Sequence, residues 1–591
     1  MFVIGIHDGH HCGAAIFKDK KIICAISEER LTRKKNEYGF PLNSIEYCLR
    51  KANIKKEQVS YVAFSTKHLP PRYMMVKRNT TFSLEDYKLE QEKYWYSIFY
   101  TKKKNPYLKI FKNKIQKSKI YDYKKLKNED DEITFQSIRK EGVRKFLKIN
   151  DKNIFFFDHH ECHAYYAFYS SPDRSKLDHV FTCDGGGDKS NGTIWKVLKN
   201  NKLKEIYRTN IANIGRIYRY VVMFLNMKPS ENEFKVMGLA GYSSIKSEYN
   251  VKASKIFFDV LDVSGFKFFY KKKIKDLYFY FYEKLKNYRF DSIGFAVQYF
   301  TEQLLLKWFN NSQKIFKCKR VAFAGGVSQN IKAIKLILEN TKIKHLYVPP
   351  GAGDESLSIG AIYAFFASAN LFDKKISDLK NPYIGLSYKK KDLDFLLKDK
   401  SIKVSKTSDK KVAKILAKSK PVARFLTIKS EFGPRALGNR SILADPRNQD
   451  IINYVNRKIK IRDFWMPFAP SILDKHLKKY IIDNNEARPY HMTYSYDSTD
   501  LAKKHIPAAL HPFDKTTRPQ VVTLNLNTEY YNLINEFYKI TGVGALLNTS
   551  FNLHGEPIVS DPKSAIRTFK KSGLEYLYID KYLVEKKKWQ K

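Results

Sequence analysis

His159 and His163 stand four residues apart in Asp158-His-His-Glu-Cys-His163, ahead of a run rich in Ala and Tyr with helical spacing. On a helix, residues i and i+4 lie one above the other, so both imidazoles share a face and can share a metal. Such a pair also occurs on plain polar helix faces. Here carboxylates on glycine turns add to it: Asp184 in Asp184-Gly-Gly-Gly-Asp188 and Asp354 in Gly351-Ala-Gly-Asp354. At strand ends they would complete a two-His, carboxylate-rich set with open positions, which suits iron(II), manganese or zinc without choosing among them. His10, in Gly9-His10-His11, falls on the turn after the first strand and is expected to face the same cleft. A neutral imidazole there can take the proton of an acceptor hydroxyl, because its pKa lies near working pH.

A second group of residues suits anions. In Glu431-Phe-Gly-Pro-Arg435-Ala-Leu-Gly438-Asn-Arg440-Ser441, two arginines flank a flexible glycine, and both guanidiniums are expected to converge on one phosphate. Arg518 in Thr517-Arg-Pro-Gln520 and the polar run Asn548, Thr549, Ser550 and Asn552 extend this to an expected acyl-phosphate and triphosphate pocket. Phe323-Ala-Gly-Gly-Val-Ser-Gln-Asn330 follows a strand and opens a helix. Gly325, Gly326 and Asn330 are therefore candidates for nucleotide contact, since glycines allow close backbone approach and free N–H groups at a helix start attract anions.

The elements that must position these residues repeat. Val3 to Ile6 reads as a strand, Gly9 to Gly13 as a turn, and Ala14 to Phe17 with Ile22 to Ile26 as a hairpin. Val180 to Cys183, the turn Asp184 to Asp188, and Thr193 to Leu198 with Leu203 to Tyr207 give the same order again. Two such units point to the duplicated α/β core of actin-like and sugar-kinase-like ATPases. About 70–150 reads as a helical insertion of unreadable function. The sequence turns polar around Asp373 to Tyr388, dividing residues 1–372 from a smaller α/β domain at 386–591.

With 591 residues the chain is too long for one core, and 43% hydrophobic composition excludes disorder. The net charge of +48 raises nucleic acid as a partner, but the lysines are scattered along the whole chain, which reads as overall composition as much as a binding face. Six dispersed cysteines without a CxxC exclude a zinc knuckle or disulfide framework. No basic, apolar leader opens the chain and no apolar run approaches the roughly 20 residues of a spanning helix, so a cytoplasmic protein with no membrane partner is expected.

Together the motifs resemble the O-carbamoyltransferase family of nodulation-factor and antibiotic biosynthesis. The matching segments are Gly9 to Ala15, Glu28 to Lys35, His159 to His163, Glu233 to Ala240, Gly325 to Val327, Gly353-Asp354, Glu431 to Ser441, Pro467-Phe-Ala-Pro470 and Asn548 to Pro557, in the family's order. The resemblance implies an actin-like carbamoyl-transfer domain followed by one like threonylcarbamoyl-adenylate synthase. It implies that the second domain joins carbamoyl phosphate and ATP (with Mg2+) into carbamoyl adenylate, with the acyl-phosphate and triphosphate pocket as the candidate site for both. The first then hands the carbamoyl group to a hydroxyl of a small molecule or sugar beside a bound Fe(II) or other divalent metal. It assigns His10 as transfer base, Lys35 as a contact to the intermediate, and His159, His163, Asp184 and Asp354 as metal ligands.

The chain departs from the family where Gln-Gly-Arg is usual, having Thr427-Ile428-Lys429, and where an arginine usually precedes Pro-Phe-Ala-Pro, having Met466. Arg462 or Lys429 is a candidate to replace the lost anion contact. Two rival readings follow: a tRNA-modifying relative, favoured by the charge, and a degenerate nucleotide-binding scaffold, favoured by the departures. The acceptor and the oligomeric state are not legible.

Overall fold

The computed structural model describes residues 1–103, 105–371, 376–483 and 487–587. Phe372, where the sequence reading ends the first domain, lies outside them. The contacts divide the chain into Met1–Leu379 and Lys380–Lys591.

The first unit contains two five-stranded sheets of one topology. Strands β1 (Phe2–His7), β2 (Gly13–Lys18), β3 (Lys21–Ser27), β4 (Tyr61–Phe64) and β5 (Ile154–Phe156) lie in the order β3-β2-β1-β4-β5. Strands β6 (His179–Gly187), β7 (Ser190–Val197) and β8 (Leu203–Thr209) form a second sheet with β11 (Arg320–Ala324) and β12 (His345–Tyr347). A small hairpin, β9 (Leu261–Ser264) with β10 (Lys267–Tyr270), falls between them in sequence. The second sheet's order, β12-β11-β6-β7-β8, is that of the first read from the other edge. In each sheet the leading strand pairs antiparallel with its hairpin partner and parallel with a later strand. This is a duplicated actin-like core.

Helices close the sheets. Among the residues helices α1 (Leu42–Ala52) and α2 (Glu132–Leu147) bury, Ile45, Leu49, Val143 and Leu147 lie on the first sheet's Ile4, Ile6, Ala14 and Ile16. Each such side chain contributes about 1.5–3 kcal/mol by leaving water. The region expected to be one insertion is therefore two things. Residues up to about 131 are inserted, with an aromatic core of Phe82, Tyr87, Tyr94, Tyr107 and Phe111, whereas α2 belongs to the sheet domain. The 3.6-residue pattern runs through both and does not separate them.

Helices α3 (His159–Ser170) and α6 (Leu357–Ser368) pack on one another, α6 against β1 and α3 against β6. Both are buried on nearly every face, which explains why neither shows an amphipathic pattern. Their approach requires glycine: a Cβ at Gly360 would collide with the Cys162 carbonyl, and one at Gly5 with the Ser358 carbonyl. On the second sheet, α4 (Phe290–Phe316) supplies Trp308 and Phe309, whose rings meet Phe181 at 5.2 and 4.5 Å between centroids. Helix α5 (Ile331–Asn340) follows β11.

The second unit holds β13 (Ile402–Lys406), β14 (Val422–Phe425), β15 (Arg440–Ala444), β16 (Ala469–Leu473), β19 (Gln520–Val522), β20 (Ala545–Ser550), β21 (Tyr576–Ile579) and β22 (Tyr582–Lys586). They form one mixed sheet, β13-β22-β21-β14-β15-β20-β16-β19, and helices α7 (Asp409–Ala417) and α8 (Thr528–Thr541) pack together. A separate two-stranded pair joins β17 (Ile481–Ile482) to β18 (Asp497–Ser498). Among the described residues no helix is long and apolar enough to cross a membrane.

Candidate functional site

The start of α3 is fixed by two carboxylates. Asp158 accepts from the backbone N–H groups of His160 and Glu161 at 2.9 and 3.0 Å, with Glu161 completing a capping box, and Asp188 accepts from the His159 N–H at 2.6 Å. This holds His159 and His163 beside the ends of β6 and the loop before α6. One ligand atom from each of His159, His163, Asp184 and Asp354 lies within 4.8 Å of the others. His163 Nε2 stands 3.4 Å from Asp354 Oδ1 and 3.6 Å from Asp184 Oδ2, and His159 Nε2 is 3.6 Å from Asp354 Oδ1.

These atoms are short of partners. His159 Nε2, both ring nitrogens of His163 and Asp354 Oδ1 are buried without a hydrogen bond. A buried polar atom left so costs about 1–3 kcal/mol. Burial and then the charge of Asp184 push Asp354 up to about 7, while Asp184, although buried, is held below its usual range by the two histidines. Burial lowers His163. Two imidazoles and the Asp354 carboxylate left unsatisfied beside the anionic Asp184 fit a divalent cation, which would remove the penalties together.

The Gly9–Gly13 turn borders this cluster. His11 Nδ1 lies 3.5 Å from Glu355 Oε2, next to Asp354. Burial, which alone would lower His11, is outweighed by Glu355, and its pKa rises to about 9. His10 stacks on His11 at 3.9 Å and bonds through Nδ1 to the Asn79 amide. Burial and the neighbouring His11, Arg219, His7 and Arg78 hold it well below its ordinary value. Lys35 Nζ pairs with Glu231 at 3.6 Å. Glu28, in the same motif, accepts four hydrogen bonds from Asn43 and Ser44 and so anchors the start of α1.

Gly326 N–H donates to Asp184, and Gly325 N–H to the Ala352 carbonyl. The glycine loop thus braces one carboxylate of the His159, His163, Asp184 and Asp354 cluster. Asn330, expected at a nucleotide, instead caps α5 through Ala333 N–H and exchanges two amide bonds with Gln298.

In the second unit Arg440 departs from expectation. Its side chain is fully buried, lies over the Phe425 ring at 3.8 Å, and donates to the carbonyls of Leu426, Asn439 and Ile428. The guanidiniums that gather are those of Arg435, Arg462 and Arg518. Burial, then the charges of Arg435 and Arg462, depress Arg518 well below its usual range, and burial takes Arg462 down to about 10. Asp463 offsets part of the charge at Arg462; because a guanidinium does not give up its proton in a protein, the cluster as a whole suits an anion. Arg462 is oriented by Asn456 Oδ1 at 2.7 Å and by the Phe468 ring.

The polar run is mostly framework. Asn548 is buried and donates to Ala436 O, Ser471 Oγ and Gln520 Oε1, holding the Arg435 loop, and Thr549 pairs with Ile442. Ser550 and Asn552 receive Lys460 Nζ, a lysine the motif reading missed because it lies 90 residues upstream of Ser550. Glu431 folds its own loop by accepting from the Leu437 and Arg440 N–H groups. Thr427 bonds Asp580, and Met466 is buried, so both departures are structural positions.

Comparison with known proteins agrees in extent. A family model described as Carbamoyltransferase N-terminus matches residues 3–363 and one described as Carbamoyltransferase C-terminus matches 413–586. The protein MJ1051 of Methanocaldococcus jannaschii is 30% identical, with 99% of this chain and 100% of that protein covered. Nodulation protein NolNO of Sinorhizobium fredii is 27% identical over 98% of this chain and 79% of its own, and nodulation protein U of Rhizobium tropici 32% over 42% and 41%. Among solved structures, component A of the Acidaminococcus fermentans (R)-2-hydroxyglutaryl-CoA dehydratase aligns with a TM-score of 0.31 at 13% identity, covering 62% of this chain and 99% of that one. Since the two matched segments take in both folded units and the residues gathered above, the chain belongs to the carbamoyltransferase family and is a carbamoyltransferase.

Proposed function

We propose that this enzyme is an ATP-dependent O-carbamoyltransferase that divides two half-reactions between its units. In Lys380–Lys591, carbamoyl phosphate loses its phosphate to water, and the carbamate oxygen then attacks the α-phosphorus of ATP (with Mg2+), releasing pyrophosphate and forming carbamoyl adenylate. In Met1–Leu379 the carbamoyl group passes to a hydroxyl of a small molecule or sugar. The observation that carries the reading is the gathering of Arg435, Arg462 and Arg518, whose mutual repulsion an anionic substrate would relieve. Adenylation makes chemical sense because carbamoyl phosphate is a stable anion towards a neutral alcohol, and AMP is the better leaving group.

His159, His163, Asp184 and Asp354 would hold Fe(II) or another divalent ion, which supplies Lewis acidity to reactant oxygens. His10 and Lys35 are the residues we assign to the carbamoyl-bearing intermediate, with Lys35 released from Glu231 to meet phosphate.

The test is to incubate the full chain with ATP and carbamoyl phosphate and measure pyrophosphate and AMP, then search candidate hydroxyl acceptors for the carbamoyl mass increment. Absence of pyrophosphate in metal-loaded enzyme would exclude the first half-reaction and leave a nucleotide-binding scaffold. The +48 charge supports a second reading, action on tRNA. It requires RNA affinity that falls linearly in log salt, which filter binding reads directly.

A further inference from the structure

The inserted segment fixes which nitrogen of His10 carries the proton. Arg78 Nε donates to Glu90 Oε1 at 2.7 Å and Nη2 grips the other carboxylate oxygen, while Glu90 is fully buried and also receives the Tyr107 hydroxyl at 2.9 Å. The guanidinium is thereby locked, and its Nη1 faces Asn79 at 3.3 Å. Nη1 has only N–H bonds, so the Asn79 atom it meets must be the carbonyl oxygen, which also accepts from Tyr87 OH at 2.9 Å. This sets the amide orientation, which hydrogen-bond partners must decide. The Asn79 NH2 group then faces His10 Nδ1, and a donor there requires a lone pair on Nδ1.

A neutral imidazole with its lone pair on Nδ1 carries its proton on Nε2. The imidazolium would set N–H against N–H. The depressed pKa of His10 agrees with the neutral form. Nε2 makes no hydrogen bond among the described residues, and the half-buried ring belongs to the turn beside the metal cluster.

His7 fixes the same turn by the same logic. Its Nε2 meets the His10 carbonyl at 2.7 Å and so must donate, and Nδ1 accepts from Ser65 Oγ at 2.8 Å.

We propose that His10 serves carbamoyl transfer as an N–H donor through Nε2, in place of the general base its position suggests, and that Asn79 is the positioning residue that fixes this tautomer. The role rests on the carbamoyl-transfer reading above; the tautomer does not. In the step, the acceptor hydroxyl oxygen bonds to the carbamoyl carbon while His10 Nε2–H meets the charge growing on the carbonyl oxygen. The bond from that carbon to the phosphoryl oxygen breaks, AMP leaves with the electron pair, and the hydroxyl proton ends on its phosphate. His10 finishes as it began.

Two measurements on the full chain test this. The first is nitrogen–proton correlation NMR with isotopically labelled histidine rings, the His10 signal being the one lost in His10→Gln. Proton on Nε2 is expected, and proton on Nδ1 overturns the assignment.

The second is AMP release from synthetic carbamoyl adenylate, with water as the hydroxyl. His10→Ala should lose about 10²–10³-fold, the usual effect of removing one such donor. His10→Gln keeps an N–H near the same point and should lose far less; equal loss in the two variants overturns the donor role.

Asn79→Asp gives a readout that simple misfolding does not. The carboxylate draws a proton to Nδ1 and raises the His10 pKa. Nε2 then bears a proton below that pKa and loses it above, so AMP release should fall as pH rises. A base would give the opposite limb, which overturns the proposal. Spectra with the proton on Nε2, but no AMP release from any protein including the parent, overturn the carbamoyl-transfer reading and leave the tautomer standing.

Discussion

Replacing Arg139 with Met should be among the most damaging single changes in the first unit. Arg139 and Asp8 are both fully buried, with Nη2 to Oδ1 at 2.6 Å and Nε to Oδ2 at 2.8 Å. Arg139 Nη1 also reaches the Thr66 carbonyl at 2.8 Å, and Tyr121 OH donates to Asp8 Oδ2 at 2.7 Å. Arg139→Met leaves a buried carboxylate with one neutral donor. Breaking a buried pair from one side costs about 3–5 kcal/mol, a large part of a typical total of about 5–15 kcal/mol. In Asp8→Asn/Arg139→Met no charge remains, and the amide that replaces the carboxylate still accepts from Tyr121, so the loss should shrink to about 1–3 kcal/mol. The assay is urea denaturation followed by the emission of Trp195 and Trp308, both buried in this unit. Salt should change little, since buried pairs are poorly screened. If Arg139→Met costs under about 1 kcal/mol, or the double variant is as unstable as the sum of the singles, the pair does not hold the end of β1 as argued.

Other outcomes follow from the two sites. His163→Ala should lower bound metal and carbamoyl transfer together, read by elemental analysis and product formation; full activity of rigorously metal-free enzyme would end the metal assignment. Metal at a hundredfold excess over its Kd should stabilise the parent by about 2.7 kcal/mol, and the His163 variant by clearly less. Arg518→Lys should impair pyrophosphate release, because a point charge does not replace a planar fork, while transfer from supplied carbamoyl adenylate persists; equal loss of both activities would refute the division of labour. Arg440→Met should instead destabilise the second unit by about 1–3 kcal/mol through orphaned carbonyls, and a folded variant with only a raised KM for carbamoyl phosphate would contradict the buried role given to it here.

What the sequence determined by itself was what local geometry and repetition determine. The four-residue spacing of His159 and His163 becomes one helix face for any right-handed helix, and the twice-used order of strand, glycine turn and hairpin becomes two sheets of one topology. The glycine turns carrying Asp184 and Asp354 are legible because strand ends of this arrangement collect ligands.

Tertiary structure decided which polar side chains gather and which hold the frame. Arg435 and Arg440 look alike in sequence, yet Arg440 begins β15 opposite Phe425, and there its guanidinium is enclosed among backbone carbonyls. Arg462 and Arg518 join Arg435 from segments separated in the chain, a gathering that no spacing rule encodes. Asn79 shows the same limit: it sits in an insertion that reads only as helical, and its contact with His10 spans 69 residues. Spacing predicts neighbours along an element, because backbone geometry repeats. Contact between distant segments depends on how whole elements pack, and there one side chain's partner is set by the position of every other.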